Sequence, residues 1–124
     1  MANTYNIGVE ATLEVIGGKW KPIILCHLGK GQQRSSELRR EIPDITQKVL
    51  TQQLHELMVD GMIQRKVYPQ VPPKVEYMLT DRGKSLRQVL IVMSQWGEQQ
   101  IAQQQAQGEV IILKRSDYNG YLRY

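Results

Sequence analysis

Between Ser35 and Asp60 the chain leaves room for two helical segments and only a tight turn, Pro43-Asp44, to join them. Ser35 or Ser36 reads as the N-cap of the first segment, which carries Glu37, Leu38 and Arg39 in its opening turns. Thr46 caps the second, which runs to about Asp60 and stops at Gly61. On it Leu50, Leu54, Leu57 and Met58 form one apolar stripe, while Gln47, Lys48, Thr51, Gln52 and His55 occupy the other faces. A short helix, a tight turn and a helix buried along a single stripe constitute a helix-turn-helix.

The texture changes after Gly61. Met62–Tyr68 and Val75–Leu79 mix β-branched and aromatic residues with polar ones, as half-buried strands do. Pro69, Pro72 and Pro73 lie between them, cannot extend a ladder, and define a long hairpin tip. A hairpin directly after a helix-turn-helix makes the unit a winged one. Upstream, Val9, Leu13 and Ile16 mark an amphipathic helix ended by Gly17-Gly18, and a buried helix follows from Lys19–Pro22 through Ile23–Cys26 to Gly29. Downstream, Thr80 and Asp81 open a long helix to about Gln104, with Leu86, Val89, Leu90, Met93, Trp96 and Ile101 at helical spacing and Ile91 and Val92 adding apolar surface beside that stripe. The glutamine-rich stretch 99–107 fades into Gly108, and a tail of undetermined structure follows with the apolar run Val110–Leu113.

The 124 residues suit one domain, and 41% hydrophobic with 23% charged residues is the balance of a folded soluble one. No apolar run approaches the roughly 18 residues of a membrane span. No basic stretch with an apolar core opens the chain, so no secretion signal and no membrane partner are expected. One cysteine excludes an intrachain disulfide and a cysteine-rich zinc site, and the expected setting is the reducing cytoplasm.

Charge points to the partner. Lys19 to Lys74 contains ten basic residues against five acidic ones, a local +5, while the remainder carries −1 of the total +4. A localised basic excess suits a polyanion. Base reading in a major groove requires short polar side chains on the exposed face of a helix buried along its other side. Thr46, Gln47, Lys48, Thr51 and Gln52 meet that requirement on the second helix. Arg65, Lys66 and Lys74 on the hairpin tip, with Ser35, Ser36 and Arg39, are expected to hold the DNA backbone.

Other chemistry finds little support. Neither GxxxxGK[ST] nor GxGxxG occurs, so no nucleotide cradle is expected. His27 and His55 with one cysteine make a poor metal or catalytic set, and no cofactor is expected. His27 is read as a helix-face or interface residue and His55 as solvated. Cys26, among Ile23, Ile24, Leu25 and Leu28, is read as a buried, inert thiol. Trp20, Trp96 and Met93 are assigned to core and dimer packing rather than to a ligand pocket.

The same residues resemble the HxlR-type bacterial transcriptional regulators, a branch of the MarR-like winged helix-turn-helix proteins. The resemblance is carried by Leu13–Trp20, Ser36–Arg40, Ile45–Leu54, Asp60–Ile63, Val71–Tyr77 and Leu79-Thr80, and spans residues 8 to 98. It implies a homodimeric, cytoplasmic repressor or activator on a pseudo-palindromic operator. Family members that sense electrophiles resemble one another in a Cys-Pro pair before the first helix; this chain has Ile7-Gly8-Val9-Glu10 there.

The expected fold is therefore α+β, mostly α: a winged helix-turn-helix with flanking dimerisation helices over residues 1–107 and a tail over 108–124. Val9, Leu13, Leu86, Leu90, Met93 and Trp96 are the expected dimer interface. Double-stranded DNA and a second copy are the expected partners, with any small-molecule effector unidentified. The competing class is a winged protein-interaction module without sequence-specific DNA binding; enzyme activity is not expected.

Overall fold

The computed structural model describes residues 4–114 and 119–124. Four helices come first, α1 (Gly8–Ile16), α2 (Lys21–Leu28), α3 (Ser35–Glu41) and α4 (Gln47–Val59). An antiparallel hairpin follows, β1 (Ile63–Tyr68) with β2 (Lys74–Leu79), then α5 (Asp81–Lys84), α6 (Arg87–Ala106) and α7 (Asn119–Leu122). The molecule is thus mostly helical with one small two-stranded sheet, a winged helix-turn-helix.

Local chemistry sets these boundaries. Thr46 Oγ1 accepts from the Val49 N–H at 3.2 Å and caps α4, as its sequence position predicts. At α3 the expected serine cap is replaced: Arg34 occupies the cap position, Ser35 is the first helical residue, and the Glu37 carboxylate accepts from the Arg34 N–H at 3.0 Å. The glutamate satisfies the donor at the helix start, so no serine hydroxyl is needed there. Gly61, at φ +76°, turns the chain from α4 into β1.

The hairpin pairs Ile63 with Leu79 through to Tyr68 with Lys74. Gln33 adds one residue of a third strand, its N–H donating to the Tyr77 carbonyl at 3.0 Å and its carbonyl accepting from the Tyr77 N–H at 2.8 Å. No periodicity announces a strand one residue long.

The core gathers Ile24, Leu25 and Leu28 of α2, Leu38 of α3, Ile42 and Ile45 of the turn, Leu50, Leu54 and Leu57 of α4, and Ile63 of the wing. Ile16, Leu90, Ile91 and Tyr121 close it from the two ends of the chain.

The long helix expected from Asp81 is divided. Thr80 caps α5 by accepting from the Gly83 N–H at 3.0 Å. At Ser85 and Leu86 the bonds tighten to the three-residue spacing, Leu86 N–H donating to the Gly83 carbonyl at 3.1 Å. Beyond this joint α6 turns Leu90 (1% exposed) and Ile91 into the core, with Leu86 half-buried. The expected single stripe is therefore split: Leu90 belongs to the core of its own chain. Val89, Val92, Met93 and Trp96 are exposed and repeat at i, i+3, i+4 and i+7.

The end of the tail docks. The Tyr121 hydroxyl donates to the Pro22 carbonyl at 2.5 Å and the Tyr124 hydroxyl to the Leu25 carbonyl at 2.7 Å, seating α7 on α2. Gly120 lies against the Cys26 carbonyl and sulfur, and Gly29 against the Gly120 carbonyl, so closely that a Cβ at either position would collide with backbone. Cys26 is consequently half-buried beneath this segment rather than sealed among the α2 aliphatics as expected.

Candidate nucleic-acid interface

Helix α4 presents one wet face. Gln47, Lys48, Thr51, Gln52 and His55 are all exposed, opposite buried Leu50, Leu54 and Leu57. Thr46 is exposed at the start of that face. Gln47 Nε2 donates to Thr51 Oγ1 at 3.0 Å, across one helical turn, so the two side chains stand together.

One ion pair and one histidine–carboxylate contact hold the helix-turn-helix against α2. Lys21 meets Glu56 of α4 at 3.2 Å, and His27 Nδ1 meets Glu41 at the end of α3 at 2.6 Å. Lys21 is buried, so one of the ten cations in the basic stretch faces the interior. His27 is buried as well (4% exposed), in place of the helix-face or interface position expected for it. His55 is exposed as expected.

The wing is organised around Tyr68 and Glu76. The Lys66 and Lys74 ammonium groups each stand 4.9 Å from the Tyr68 ring centroid. Buried Glu76 accepts from Gln32 Nε2 at 3.0 Å and pairs with Lys74 at 3.7 Å. Arg65 and Lys66 sit in the body of β1, both exposed, and Lys74 opens β2. The tip between the strands, Pro69 to Pro73, carries no charged residue, so the basic groups lie along the strands instead of at the tip.

Ser36 and Lys74 come together in a polar hollow of about 390 Å³ between α3 and β2, which Arg34, Glu37, Arg40 and Glu76 also line. Arg34 and Arg40 are additions to the candidate set. Arg40 lies one turn from Ser36 on α3, a spacing visible in the sequence. Ser35 is half-buried, and Arg39 is exposed outside this hollow. Among the expected interface residues, Val9 (52%), Leu13 (54%), Met93 (45%) and Trp96 (66%) are exposed in the single chain, unlike Leu90. No described helix is long and apolar enough to cross a membrane, and among the described residues no three His, Cys, Asp or Glu side chains gather as a metal-binding group.

Comparison with known proteins agrees with this anatomy. Residues 15–105 match the family model for the HxlR-like helix-turn-helix. The chain is 63% identical over 97 residues to the HTH-type transcriptional regulator YtcD of Bacillus subtilis, covering 78% of this chain and 77% of that protein. The crystal structure of YtcD superposes with a TM-score of 0.73 at 59% identity, over 77% of this chain and 98% of that one. The redox regulator HypR in its oxidized form superposes with a TM-score of 0.71 at 53% identity, over 75% of this chain and 96% of that one. By its sequence, its wing and its helix-turn-helix, the chain belongs to the HxlR-like helix-turn-helix family of DNA-binding transcriptional regulators.

Proposed function

We propose that the protein is a homodimeric, cytoplasmic repressor that occupies a pseudo-palindromic operator and obstructs polymerase. The observation that carries this reading is the division of α4 into a buried leucine stripe and an exposed Gln47–Lys48–Thr51–Gln52 face. Helix α4 enters the major groove, where glutamine pairs with adenine N6/N7 and lysine with guanine O6/N7. Arg65, Lys66 and Lys74 of the wing, with Ser35, Ser36, Arg39, Arg34 and Arg40 around α3, contact phosphates. The second copy packs through the exposed Val89–Val92–Met93–Trp96 stripe and the Val9–Leu13 side of α1, burying apolar surface that one chain leaves wet. The protein acts by occupancy and carries no catalytic residue.

Selection of bound sequences from a random duplex pool tests the reading. Enrichment of two inverted half-sites about one or two helical turns apart is expected, since a two-fold dimer reads both strands alike. Recovery of no common sequence would show the reading to be wrong and would favour a protein-interaction module.

A further inference from the structure

The polar hollow between α3 and β2 holds three cations, Arg34, Arg40 and Lys74, against two carboxylates, Glu37 and Glu76. Both carboxylates already have partners. Glu76 is buried, accepts from Gln32 Nε2 at 3.0 Å and pairs with Lys74 at 3.7 Å, and the Glu37 carboxylate accepts from the Arg34 N–H at 3.0 Å. The guanidinium groups are the opposite case. Among the described residues neither Arg34 nor Arg40 forms an ion pair. Two rigid five-donor forks therefore line one hollow without a carboxylate partner, ready for an oxyanion.

Ser36 alone among the lining residues offers an aliphatic hydroxyl. It is exposed and lies one turn before Arg40 on α3. Its neighbour Ser35 is half-buried and lines no part of the hollow. A tetrahedral anion attached to Ser36 Oγ thus meets cations from both α3 and β2.

We propose that Ser36 is a phosphorylation site and that this hollow is the receptor for its phosphoryl group. A protein serine kinase transfers the γ-phosphoryl group of ATP to Ser36 Oγ. The Oγ–P bond forms as the bond to the β-phosphate oxygen breaks, ADP leaves, and the hydroxyl proton passes to a base of the kinase. The product carries about −1.5 to −2 at neutral pH and three strong acceptor oxygens, which suit two guanidinium forks and an ammonium. A tethered phosphate also outcompetes an untethered one, because its local concentration is independent of dilution. The DNA phosphate assigned to these residues is shut out, and phosphorylation releases the operator; this last step alone rests on the DNA-binding reading above.

The full chain with phosphoserine encoded at position 36 tests the receptor without DNA, so its failure is distinguishable from failure of the operator reading. By phosphorus NMR, the second ionisation of the phosphate, ordinarily at about pH 6, is expected to fall by about half a unit or more, because adjacent cations favour the dianion. The double variant Arg34→Gln, Arg40→Gln should move it back toward the ordinary value. An unshifted ionisation, or a shift undiminished in the double variant, would overturn the proposal. If circular dichroism shows the double variant to be unfolded, Arg40→Gln alone takes its place, and a shift undiminished there counts against the site. Phosphorylation should weaken operator binding by about tenfold or more, and Ser36→Ala by far less; equal affinity with and without the phosphate would defeat the switch. Mass spectrometry of the protein from its native cells, growing and resting, should find phosphate on Ser36, and a chain unmodified there in both states would equally overturn the proposal.

Discussion

Lysines of one formal charge are not equivalent on this surface. Lys21 is buried against Glu56, and Lys74 shares buried Glu76 with Gln32, whereas Arg65 and Lys66 stand exposed on β1. The proposed contacts therefore separate into measurable classes. Gln47→Ala or Gln52→Ala should relax preference at particular operator positions by about 1–3 kcal/mol each. Arg65→Ala should weaken all sequences alike and lower the salt slope by roughly one. Lys74→Ala should lower that slope by less, because Glu76 already offsets its charge. Binding across operator variants at several salt concentrations checks all three, and identical profiles for helix and wing substitutions would defeat the division. The wet face of α4 was legible in the sequence because the leucine stripe fixes which way the helix faces. The inward turn of Lys21 was not, since it depends on how α2 lies across α4, and no local pattern encodes that crossing.

At the scale of elements, α6 separates two kinds of apolar residue that share one helical spacing. Leu90 fills the core at 1% exposure, and Leu90→Ala should cost about 2–5 kcal/mol of stability, read as a lowered denaturation midpoint. Met93 is 45% exposed, and Met93→Glu should leave the fold intact yet shift sedimentation from dimer to monomer. A wild-type chain that sediments as a monomer at micromolar concentration would refute the proposed interface. Existence and type of α1 to α4, β1 and β2 followed from periodicity and caps. The break at Ser85-Leu86 did not: Gly83, two residues before it, keeps a negative φ inside α5, and its close approach to the Met62 carbonyl just ahead of β1 is a tertiary contact that no local pattern encodes.

Across the whole molecule, the C-terminal segment joins the two ends of the fold, and its tyrosines make that junction sensitive to alkali. Burial, with the Cys26 sulfur nearby, pushes the Tyr121 hydroxyl above its ordinary range; burial, then Tyr121 and Cys26, do the same to Tyr124. The folded chain keeps these protons where an unfolded chain releases them, so their contribution to stability is complete below about pH 10 and declines as pH rises beyond it. Urea denaturation on either side of that pH should show the decline, and the double variant Tyr121→Phe, Tyr124→Phe should flatten it. Cys26 under Gly120 leads to a second expectation: diamide should leave operator affinity the same in the wild type and in Cys26→Ser. The three-residue bonding at Ser85-Leu86 carries a mechanical consequence for the proposed dimer. Leu90 and Ile91 hold α6 to its own core directly beyond the joint, so the bend fixes the angle at which the exposed face of α6 is offered to a second copy. A dimer built through that face is expected to keep its two α4 helices at one separation, and so to tolerate little change in operator spacing, because a swing at the joint would draw Leu90 and Ile91 out of the core.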